Sequence, residues 1–297
     1  METNHSSDTT NIEPLIGRPL RRGHIYCFAN QKGGVGKTTT TVNMAAYLAA
    51  GGKRVLLVDA DSQANATSSL GIDKNREEPS LYEVLMGGAS AEEAITPIDR
   101  PIFGTRLDLL PSSVELAGAE VELAGEIQGE REFRLRAILQ PLKARYDYIL
   151  IDCPPSLGLL TLNALAAADA VIIPLQCEYL ALEGLLQLTN TITLVLKGLN
   201  RGLRILGIAM TMYDSRTNLS AQVVQDVKAH YPREVFNTLI PRSVRLSEAP
   251  SYSQSILEYD PNSRGALAYA RLAAEIAARS GDTLTITEQI PERSVAP

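Results

Sequence analysis

Short runs of β-branched and other apolar residues alternate along the chain with longer segments of helical periodicity. The short runs predict seven strands, at residues 25–29, 55–59, 107–110, 148–152, 170–174, 205–211 and 235–240. The longer segments predict seven helices, at residues 37–50, 114–126, 132–144, 159–167, 180–196, 220–230 and 265–279. Because strands that alternate with helices form βαβ units, we expect an α/β fold, with a mostly parallel twisted sheet flanked by helices on both faces.

The two ends of the chain are more polar than the part between them. Residues 1–23 mix Ser, Thr, Asn and Pro and carry three arginines near their end, which predicts a flexible N-terminal arm. Residues 280–297 predict a polar C-terminal tail. No Gly/Ser-rich linker interrupts residues 24–279, so we expect a single domain there, although 297 residues are enough for two.

Composition and charge narrow the class of protein. The chain has 45% hydrophobic and 21% charged residues, which is typical of a globular protein. Its net charge of −6 has the wrong sign for a surface that attracts nucleic acid or anionic lipid everywhere. Residues 197–245 are the exception, with eight basic residues against three acidic ones and a local net charge of +5. This segment predicts an interaction site for a polyanion, and the alternative is a solvated face with scattered ion pairs.

The cysteines and the apolar stretches favour a reducing cytoplasm. Cys27, Cys153 and Cys177 are far apart and form no CxxC pair, so the sequence supports neither a disulfide framework nor a cysteine-rich metal site. The most apolar long stretch, residues 157–175, is interrupted by Asp169 and fits a helix followed by a strand better than a membrane span. We therefore predict a cytoplasmic protein without a membrane-spanning segment.

The segment between the first predicted strand and the first predicted helix reads NQKGGVGKTT and covers residues 30–39. Gly33, Gly34 and Gly36 allow the backbone to turn its N–H groups inward and to approach phosphate oxygens closely. The helix that follows directs the positive end of its dipole at the same anion. A strand, a glycine-rich loop and a helix in this order predict a phosphate-binding P-loop.

Three side chains after the glycines complete the predicted phosphate site. Lys37 supplies a cation for the β and γ phosphates of a nucleotide, and the hydroxyl of Thr38 is a ligand for magnesium. Thr39 is placed to reach the α phosphate. The strict pattern GxxxxGKS/T has glycine where this chain has Gln31. The alternative, a glycine-rich turn with a solvated lysine, is disfavoured by the strand and the helix on either side.

Three aspartates lie at the C-terminal ends of predicted strands. Asp59 ends the strand at 55–59 and Asp61 follows it, while Asp152 ends the strand at 148–152. Since ligands bind at this edge of an open α/β sheet, we expect the three carboxylates to lie beside the P-loop. Hard anionic oxygens, acting directly or through bound water, are what a magnesium ion requires. The alternative for Asp59 and Asp61 is a pair of loop-capping aspartates.

Five segments of the chain resemble those of one family, the ParA/MinD group of P-loop ATPases with a deviant Walker A motif. The stretch KGGVGKTT, with Lys32 before the glycines, is similar to that deviant motif. The resemblance covers residues 24–279 and is closest to the chromosome-partitioning ParA (Soj) branch. The five segments are NQKGGVGKTTT, VLLVDADSQANATSSLGI, ILIDCPPSLGLLTLNAL, TMYDSRTNLS and IPRSVRLSEAPS.

The resemblance implies roles for residues of these segments. The nucleotide would be ATP with Mg²⁺, held by Lys32, Gly33, Gly34, Val35, Gly36, Lys37, Thr38 and Thr39. The metal ion would be served by Thr38, Asp59 and Asp152. Asp61 would orient the attacking water, and the catalytic residues would be Lys32, Lys37 and Asp61. The adenine ring would be framed by Met212, Pro241 and Arg242, for which generic packing at strand ends is the alternative.

The same resemblance implies how the protein would work. Lys32 would reach across a two-fold interface to the nucleotide of the partner subunit, so that ATP joins two subunits in a homodimer. Arg216 and Arg245 would contact the phosphates of double-stranded DNA without sequence preference. Slow hydrolysis, stimulated by a ParB-like centromere-binding protein, would release the DNA. The sequence therefore predicts a magnesium-dependent ATPase for DNA partitioning, cytoplasmic and associated with the nucleoid when ATP is bound.

Three other functions share parts of this pattern. A MinD-like membrane-associated regulator of cell division would require a basic amphipathic helix at its end, whereas residues 280–297 contain two prolines and little periodicity. A metal-cluster carrier related to the nitrogenase iron protein would require two suitably placed cysteines in each subunit. A small-molecule ligase or kinase would show ATP turnover that depends on a metabolite and not on DNA.

Overall fold

The computed structural model of the protein describes residues 23–127 and 129–284. Its strands are β1 (His24–Phe28), β2 (Val55–Asp59), β3 (Thr96–Pro97), β4 (Leu107–Leu110), β5 (Tyr148–Asp152), β6 (Ala170–Gln176) and β7 (Arg204–Thr211). They form one sheet in the order β3-β4-β2-β5-β1-β6-β7. Neighbouring strands are parallel except for the edge pair β3 and β4, so the predicted α/β fold with a mostly parallel sheet is confirmed.

Helices cover both faces of the sheet. In chain order they are α1 (Lys37–Ala50), α2 (Asn65–Ser69), α3 (Leu81–Met86), α4 (Ala91–Ala94), α5 (Leu116–Ala124), α6 (Arg134–Leu142), α7 (Leu159–Ala167), α8 (Ala181–Gly198), α9 (Asn218–His230), α10 (Val244–Glu248), α11 (Ile256–Tyr259) and α12 (Arg264–Arg279). Short 3₁₀ turns precede α6 and follow α10, at Arg131–Phe133 and Ala249–Tyr252.

Successive residues of a strand point to opposite faces of the sheet, and this alternation produces two cores. On one face, strand residues such as Ile25 and Leu56 pack against α5 to α9. On the other face, Tyr26 and Leu57 pack against α1 and α12. Burial on both faces explains why the strands are almost entirely apolar in sequence.

The order of the strands brings three loops to one edge of the sheet. β5 lies between β2 and β1, and the register pairs Asp152 with Asp59 on one side and with Phe28 on the other. The loops that follow β1, β2 and β5 therefore start side by side. Residues far apart in sequence meet there.

The structure confirms six of the seven predicted strands and all seven predicted helices, with ends within two residues of the predicted ones. It adds short elements that the pattern did not predict: β3, α2, α3, α4, α10 and α11. Helices of four to six residues have little periodicity, and caps and packing define them. α3 and α4, for example, begin with capping boxes of Ser80 with Glu83 and Ser90 with Glu93.

The predicted strand at residues 235–240 is wrong. Isolated bridges near its two ends join it to β7 and to Tyr213, and no continuous ladder forms between them. Asn237 and Thr238 donate their N–H groups to the carboxylate of Glu275 on α12, each at 2.8 Å. Because a side chain takes these donors, they do not take part in a ladder with β7.

Arg279, the last residue of α12, ties the same segment to β7. Its guanidinium donates to the carbonyl oxygens of Leu206 and Glu234 at 2.8 Å and to that of Val235 at 3.0 Å. It also lies 4.1 Å from the centroid of the Phe236 ring. The planar guanidinium of Arg279 therefore provides hydrogen-bond donors for three carbonyl groups beside the segment that was predicted as a strand.

Residues 280–284, at the start of the predicted C-terminal tail, lie against the edge where the strands begin. The hydroxyl of Tyr148 donates to Asp282 at 2.7 Å, and the side chain of Leu284 packs beside Gly51. The rest of the predicted tail, residues 285–297, lies outside the described residues. Residues 1–22 of the predicted N-terminal arm also lie outside them.

We expect Arg279→Ala to lower the free energy of unfolding by about 2 kcal/mol, because three carbonyl groups lose charge-assisted hydrogen bonds. Guanidinium chloride unfolding followed by circular dichroism measures the change. Arg271→Ala, at an exposed position of the same helix, is the matched control and should cost less than about 0.5 kcal/mol. Equal costs for the two variants would show that the carbonyl contacts of Arg279 contribute little.

Candidate functional site

A cavity of about 730 Å³ opens at the edge of the sheet where β1, β2 and β5 end. Its walls come from the loop after β1, the loop after β2, the turn after β7 and parts of residues 240–254. Six residues of the predicted P-loop line it: Gly33, Gly34, Gly36, Lys37, Thr38 and Thr39. The volume is in the range of sites that bind small molecules.

The glycine-rich loop has the backbone shape of a phosphate cradle. Gly34 and Gly36 have φ angles of 73° and 85°, in the left-handed region that glycine adopts without strain. Gly36 is the N-cap of α1, and no side chain caps the first turn of this helix. The first N–H groups of α1 are therefore available to an anion, at the positive end of the helix dipole.

Lys37 is the first residue of α1 and is buried. Its ammonium group donates to the carbonyl oxygen of Lys32 at 3.1 Å. Burial lowers the pKa of Lys37, whereas the charges of Asp152 and Asp61 act to raise it. A partly desolvated cation at the end of the glycine loop interacts strongly with a phosphate that enters the cavity.

A hydrogen bond joins α1 to β5 at the base of the cavity. The hydroxyl of Thr38 donates to Oδ2 of Asp152 at 2.6 Å, and that of Thr41 donates to Oδ1 at 3.0 Å. Asp152 is fully buried, so these hydroxyl groups take the place of water. The structure thus puts two of the three predicted magnesium residues in direct contact.

Asp59, the third of these residues, organises the loop after β2. It is fully buried, and its Oδ2 accepts hydrogen bonds from the N–H of Thr67 at 2.8 Å and from the hydroxyl of Thr67 at 2.7 Å. The N–H of Asp61 donates to Oδ1 of Asp59 at 3.2 Å. Asp61 itself lines the cavity, where its Oδ1 accepts from the N–H of Gln63 at 3.0 Å.

The buried carboxyl groups make this edge a favourable place for a cation. Burial raises the pKa of Asp59 and that of Asp152, and the charge of Asp59 raises the pKa of Asp152 further. Within residues 23–127 and 129–284 no three His, Cys, Asp or Glu side chains converge to hold a metal ion by themselves. The residues present therefore fit a magnesium ion that takes most of its ligands from phosphate and water.

The residues predicted to frame an adenine ring line the cavity on the side of β7. They are Met212, Pro241 and Arg242. The N–H of Arg242 donates to the carbonyl oxygen of Tyr213 at 3.0 Å, which holds the two loops together. Met212 has a φ of 52°, an uncommon backbone conformation for a residue other than glycine. The structure thus places this group and the glycine loop around the same cavity.

Part of the cavity wall was not predicted from the sequence. Thr211, at the end of β7, donates its hydroxyl to the carbonyl oxygen of Val35 at 2.8 Å and so fixes the glycine loop. α10 and the 3₁₀ turn after it add Val244, Leu246 and Pro250. The motif SEAPS marks this segment, but its short elements have no periodicity that would place it beside the P-loop.

Two predicted loop residues do not line the cavity. The side chain of Val35 is buried, and its carbonyl group is the part that contacts Thr211. The side chain of Lys32 is 50% exposed and forms an ion pair with Glu178 in the loop after β6. Lys32 thus lies beside the glycine loop, and its side chain is not among those that line the cavity of its own chain.

The two predicted DNA contacts lie on the surface, outside the lining of the cavity. The side chain of Arg216 is 85% exposed and pairs with Asp214, Nη2 to Oδ2, at 2.7 Å. Arg216 holds the pKa of Asp214 well below its usual range. Arg245 on α10 pairs with Glu248 at 3.1 Å and with Asp260 at 3.5 Å. Exposed pairs of this kind contribute little to stability, so a phosphate group can replace the carboxylate.

Strand β7 divides the basic segment at 197–245. Arg204 is the first residue of β7 and Thr211 the last, so Arg204 and the residues before it lie at the opposite edge of the sheet from the cavity. Seven steps of about 3.3 Å separate the two ends of the strand by roughly 23 Å. The position of β7 therefore separates Lys197, Arg201 and Arg204 from the part of the segment that contains Arg216, Arg242 and Arg245.

The structure bears on two of the alternative functions. A hydrogen bond with Cys27 and burial hold the pKa of Cys153 well above its usual range, and burial raises the pKa of Cys177 to about 12. Protonated, buried thiols are poor ligands for a metal cluster. Across the described part of the chain, no helix has the length and apolar character needed to cross a membrane. Residues 285–297, on which the MinD-like alternative depends, lie outside that part.

Comparisons with known proteins agree with the geometry. A family model described as an AAA domain matches residues 23–205. The sporulation initiation inhibitor protein Soj of Bacillus subtilis is 55% identical over 86% of this chain and 99% of its own length. The chromosome partitioning protein ParA of Myxococcus xanthus is 52% identical over 92% of this chain and 93% of its own length.

A solved structure has the same fold. Cobyrinic acid a,c-diamide synthase from Mycobacterium smegmatis, with bound ADP and magnesium, superposes with a TM-score of 0.75 and 40% identity, over 88% of this chain and 98% of its own. The identity to Soj and ParA is higher and extends over nearly all of both relatives. The resemblance seen in five separate motifs is thereby confirmed, and the chain belongs to the ParA family of chromosome-partitioning ATPases.

Proposed function

We propose that the protein is a magnesium-dependent ATPase that partitions DNA and that converts ATP and water into ADP and phosphate in the cavity beside the P-loop. The observation that carries this proposal is the 2.6 Å hydrogen bond between the Thr38 hydroxyl and Asp152. Thr38 lies in the first turn of α1, whose N-terminus would face the phosphates. The bond therefore places the hydroxyl and the carboxylate that a nucleotide-bound magnesium ion requires side by side at that end of the helix.

The residues around the phosphates act by position and charge. Backbone N–H groups of residues 33–39 hold the phosphate oxygens, and Lys37 offsets their negative charge. Thr38, Asp152 and Asp59 would serve a magnesium ion, which would neutralise charge on the phosphates. Asp61 orients the attacking water, because its carboxylate lines the cavity while Asp59 fixes its backbone.

The nucleoside lies on the opposite side of the cavity in this proposal. Met212 and Pro241 supply apolar surface, and the planar guanidinium of Arg242 stacks on the adenine ring. Thr211 holds the base side and the phosphate side of the site together, because its hydrogen bond joins β7 to the glycine loop. Base and phosphates are thus bound by elements that meet only in the folded chain.

Lys32 is the reason to propose a homodimer. Its side chain is half exposed and lies outside the cavity of its own chain, although it immediately precedes the glycines. In a face-to-face dimer formed with ATP, each Lys32 reaches the nucleotide of the partner subunit. Its ion pair with Glu178 opens at that step, and exposure keeps the cost of opening small.

Nonspecific DNA binding follows from the surface arginines. The side chains of Arg216 and Arg245 are exposed, so a dimer presents two copies of this basic surface to a duplex. Phosphate contacts carry no sequence information, and the affinity that they provide falls steeply with salt. Doubling the number of contacts makes DNA binding depend on ATP through dimerisation.

Hydrolysis would dissociate the dimer and release the DNA, with the timing set by a ParB-like centromere-binding partner that stimulates a slow intrinsic rate. In the cell this protein would be cytoplasmic and would associate with the nucleoid in its ATP-bound state. These two inferences come from membership of the ParA family.

A small-molecule ligase is the second candidate, because the structural neighbour with 40% identity is named as a diamide synthase. The partitioning relatives at 55% and 52% identity favour the first proposal. ATP turnover that required a metabolite and was indifferent to DNA would favour the ligase. A MinD-like membrane role would instead show as ATP-dependent co-sedimentation with anionic liposomes.

Sedimentation of the protein with Mg²⁺ and ATP, with ADP and with added duplex DNA tests the proposal and the role of Lys37. We expect the wild type to form a dimer and to sediment with DNA only with ATP. Lys37→Ala should abolish nucleotide binding and remain monomeric in all conditions, because the phosphates lose their buried cation. Tight ATP binding by this variant would contradict the phosphate-loop assignment.

Asp61→Ala should reduce ATP hydrolysis by roughly 100-fold or more while ATP affinity stays within about threefold, since Asp61 acts on the attacking water. The variant should therefore accumulate as an ATP dimer on DNA. Release of phosphate over time, measured beside DNA retention, checks both expectations. Normal turnover in this variant would remove Asp61 from the catalytic residues.

Arg216→Glu should lose DNA retention at moderate salt but dimerise with ATP as the wild type does, because Arg216 lies outside the nucleotide cavity. Arg54→Glu is the matched control: it reverses an arginine that also pairs with an aspartate, Asp147, but at the opposite edge of the sheet. Fluorescence anisotropy of a labelled duplex measures both variants. Equal retention of DNA by the two would place the contact elsewhere.

A further inference from the structure

Arg100 connects two parts of the chain that serve different steps of the proposed function. It lies in the loop between β3 and β4, where its Nη2 donates to the carbonyl oxygen of Leu70 at 2.8 Å. Its Nη1 donates to Oε1 of Glu258 at 2.6 Å. The side chains of Arg100 and Glu258 are only 21% and 11% exposed. Charge-assisted bonds shielded in this way are stronger than exposed ion pairs.

One end of this connection depends on the nucleotide site. Leu70 directly follows α2, and α2 is held by the two hydrogen bonds that Thr67 donates to Asp59. Thr67 also accepts a hydrogen bond from the N–H of Ser112 at 2.9 Å. The position of the Leu70 carbonyl group is therefore set by a buried carboxylate of the proposed magnesium site.

The other end supports the DNA contact. Oε2 of Glu258 accepts from the N–H and the hydroxyl of Ser255, at 2.9 and 2.7 Å, in the capping box that starts α11. At the end of α11 the hydroxyl of Tyr259 donates to Glu248 at 3.1 Å, and the same oxygen of Glu248 accepts from Arg245 at 3.1 Å. Arg245 is thus connected, through Glu248 and Tyr259, to the helix that carries Glu258, the partner of Arg100.

The junction between the two parts is tightly packed. Gly71 has a φ of 81°, and a Cβ atom at this position would lie 3.2 Å from Nη2 of Arg100 and 3.3 Å from Cβ of Ser253. The chain after α2 therefore lies directly against the segment that leads into α11. Close packing transmits small displacements, because no free volume absorbs them.

A second link to α11 starts from the P-loop helix. Asn43 on α1 accepts a hydrogen bond from the N–H of Ile256 at 2.8 Å and donates to the carbonyl oxygen of Thr39 at 2.7 Å. This link fixes the start of α11 to α1 and does not involve Asp59. Arg100 is the side chain that also connects α11 to the end of α2.

We propose that Arg100 is a positioning residue that couples the nucleotide at the P-loop to the DNA contact of Arg245. When the charge beside Asp59 changes on hydrolysis, α2 shifts relative to α1, and Arg100 carries the shift to Glu258 and α11. Arg245 then loses the position in which it binds DNA. This inference rests on the proposed function and assigns the side chain that joins its two sites.

The test compares duplex DNA affinity in a nonhydrolysable ATP analogue with Mg²⁺ and in ADP with Mg²⁺. We expect Arg100→Ala to reduce the ratio of the two affinities at least about fivefold, while its affinity for the analogue without DNA stays within about twofold of the wild type. A general loss of stability would not change this ratio. Thermal unfolding of each variant monitors stability separately.

Two further variants sharpen the comparison. Arg134→Ala removes an arginine that, like Arg100, is paired with a glutamate, here Glu126 through two hydrogen bonds, but on α6 and away from α2 and α11. It should leave the ratio unchanged. Glu258→Gln keeps a side chain that can accept in the capping box and removes the ion pair with Arg100. Combined with Arg100→Ala, it should reduce the ratio no further than either single change.

An unchanged ratio in Arg100→Ala, or additive losses in the double variant, would overturn the assignment. If the wild type itself shows no analogue-dependent DNA binding, the proposed function fails, and amide hydrogen exchange of residues 255–260 decides the coupling by itself. Protection of these residues by the analogue in the wild type and its loss in Arg100→Ala would support the coupling. Equal protection in both proteins, or none in the wild type, would refute it.

Discussion

The hydrogen bond between Thr38 and Asp152 is the constraint on which the rest of the site depends. It fixes the first turn of α1 to the end of the central strand β5, and a second bond from Thr41 holds the same carboxylate one turn later. Asp152 and Asp59 are both fully buried and adjacent in the register, so negative charge on one opposes negative charge on the other, which raises the pKa of Asp152. A magnesium nucleotide would relieve that repulsion, and the fold therefore contains an electrostatic reason to bind one.

The order of the strands explains why this chemistry converges. β1, β5 and β2 are neighbours in the sheet although α1 and the elements from α2 to α6 separate them along the chain. Parallel strands end at a common edge, so the glycine loop, Asp61 and Asp152 meet there without any need for proximity in sequence. The turn after β7 and the segment from α10 to α11 then complete the cavity from the far end of the chain.

The segment from α10 to α11 contributes to both of the proposed binding sites. Its inner residues line the nucleotide cavity, and its outer surface carries Arg245. In the proposed function, binding of ATP and binding of DNA would therefore involve the same short stretch, and rigid connections to it would determine how one affects the other. Arg100 from the side of α2 and Asn43 from the side of α1 both make polar connections to α11. Coupling between the sites is in this view a local property of packing rather than a change of the whole fold.

The sequence alone determined the fold class, six of the seven predicted strands, every predicted helix and the loop that binds phosphate, because hydrophobic periodicity and glycine spacing are local signals. It also placed Asp59 and Asp152 at strand ends, from which their meeting follows once the sheet order is known. It did not determine the sheet order, the irregular path of residues 235–240, or the separation of the basic segment by β7. These features depend on contacts between residues that are distant in sequence and share no local pattern. Examples are the contacts of Glu275 with Asn237 and Thr238 and those of Arg279 with three carbonyl groups. Only the tertiary structure shows that Lys32 lies outside the cavity of its own chain and that Arg100 bridges Leu70 and Glu258. Both facts depend on which side chains the packed elements bring within hydrogen-bonding distance.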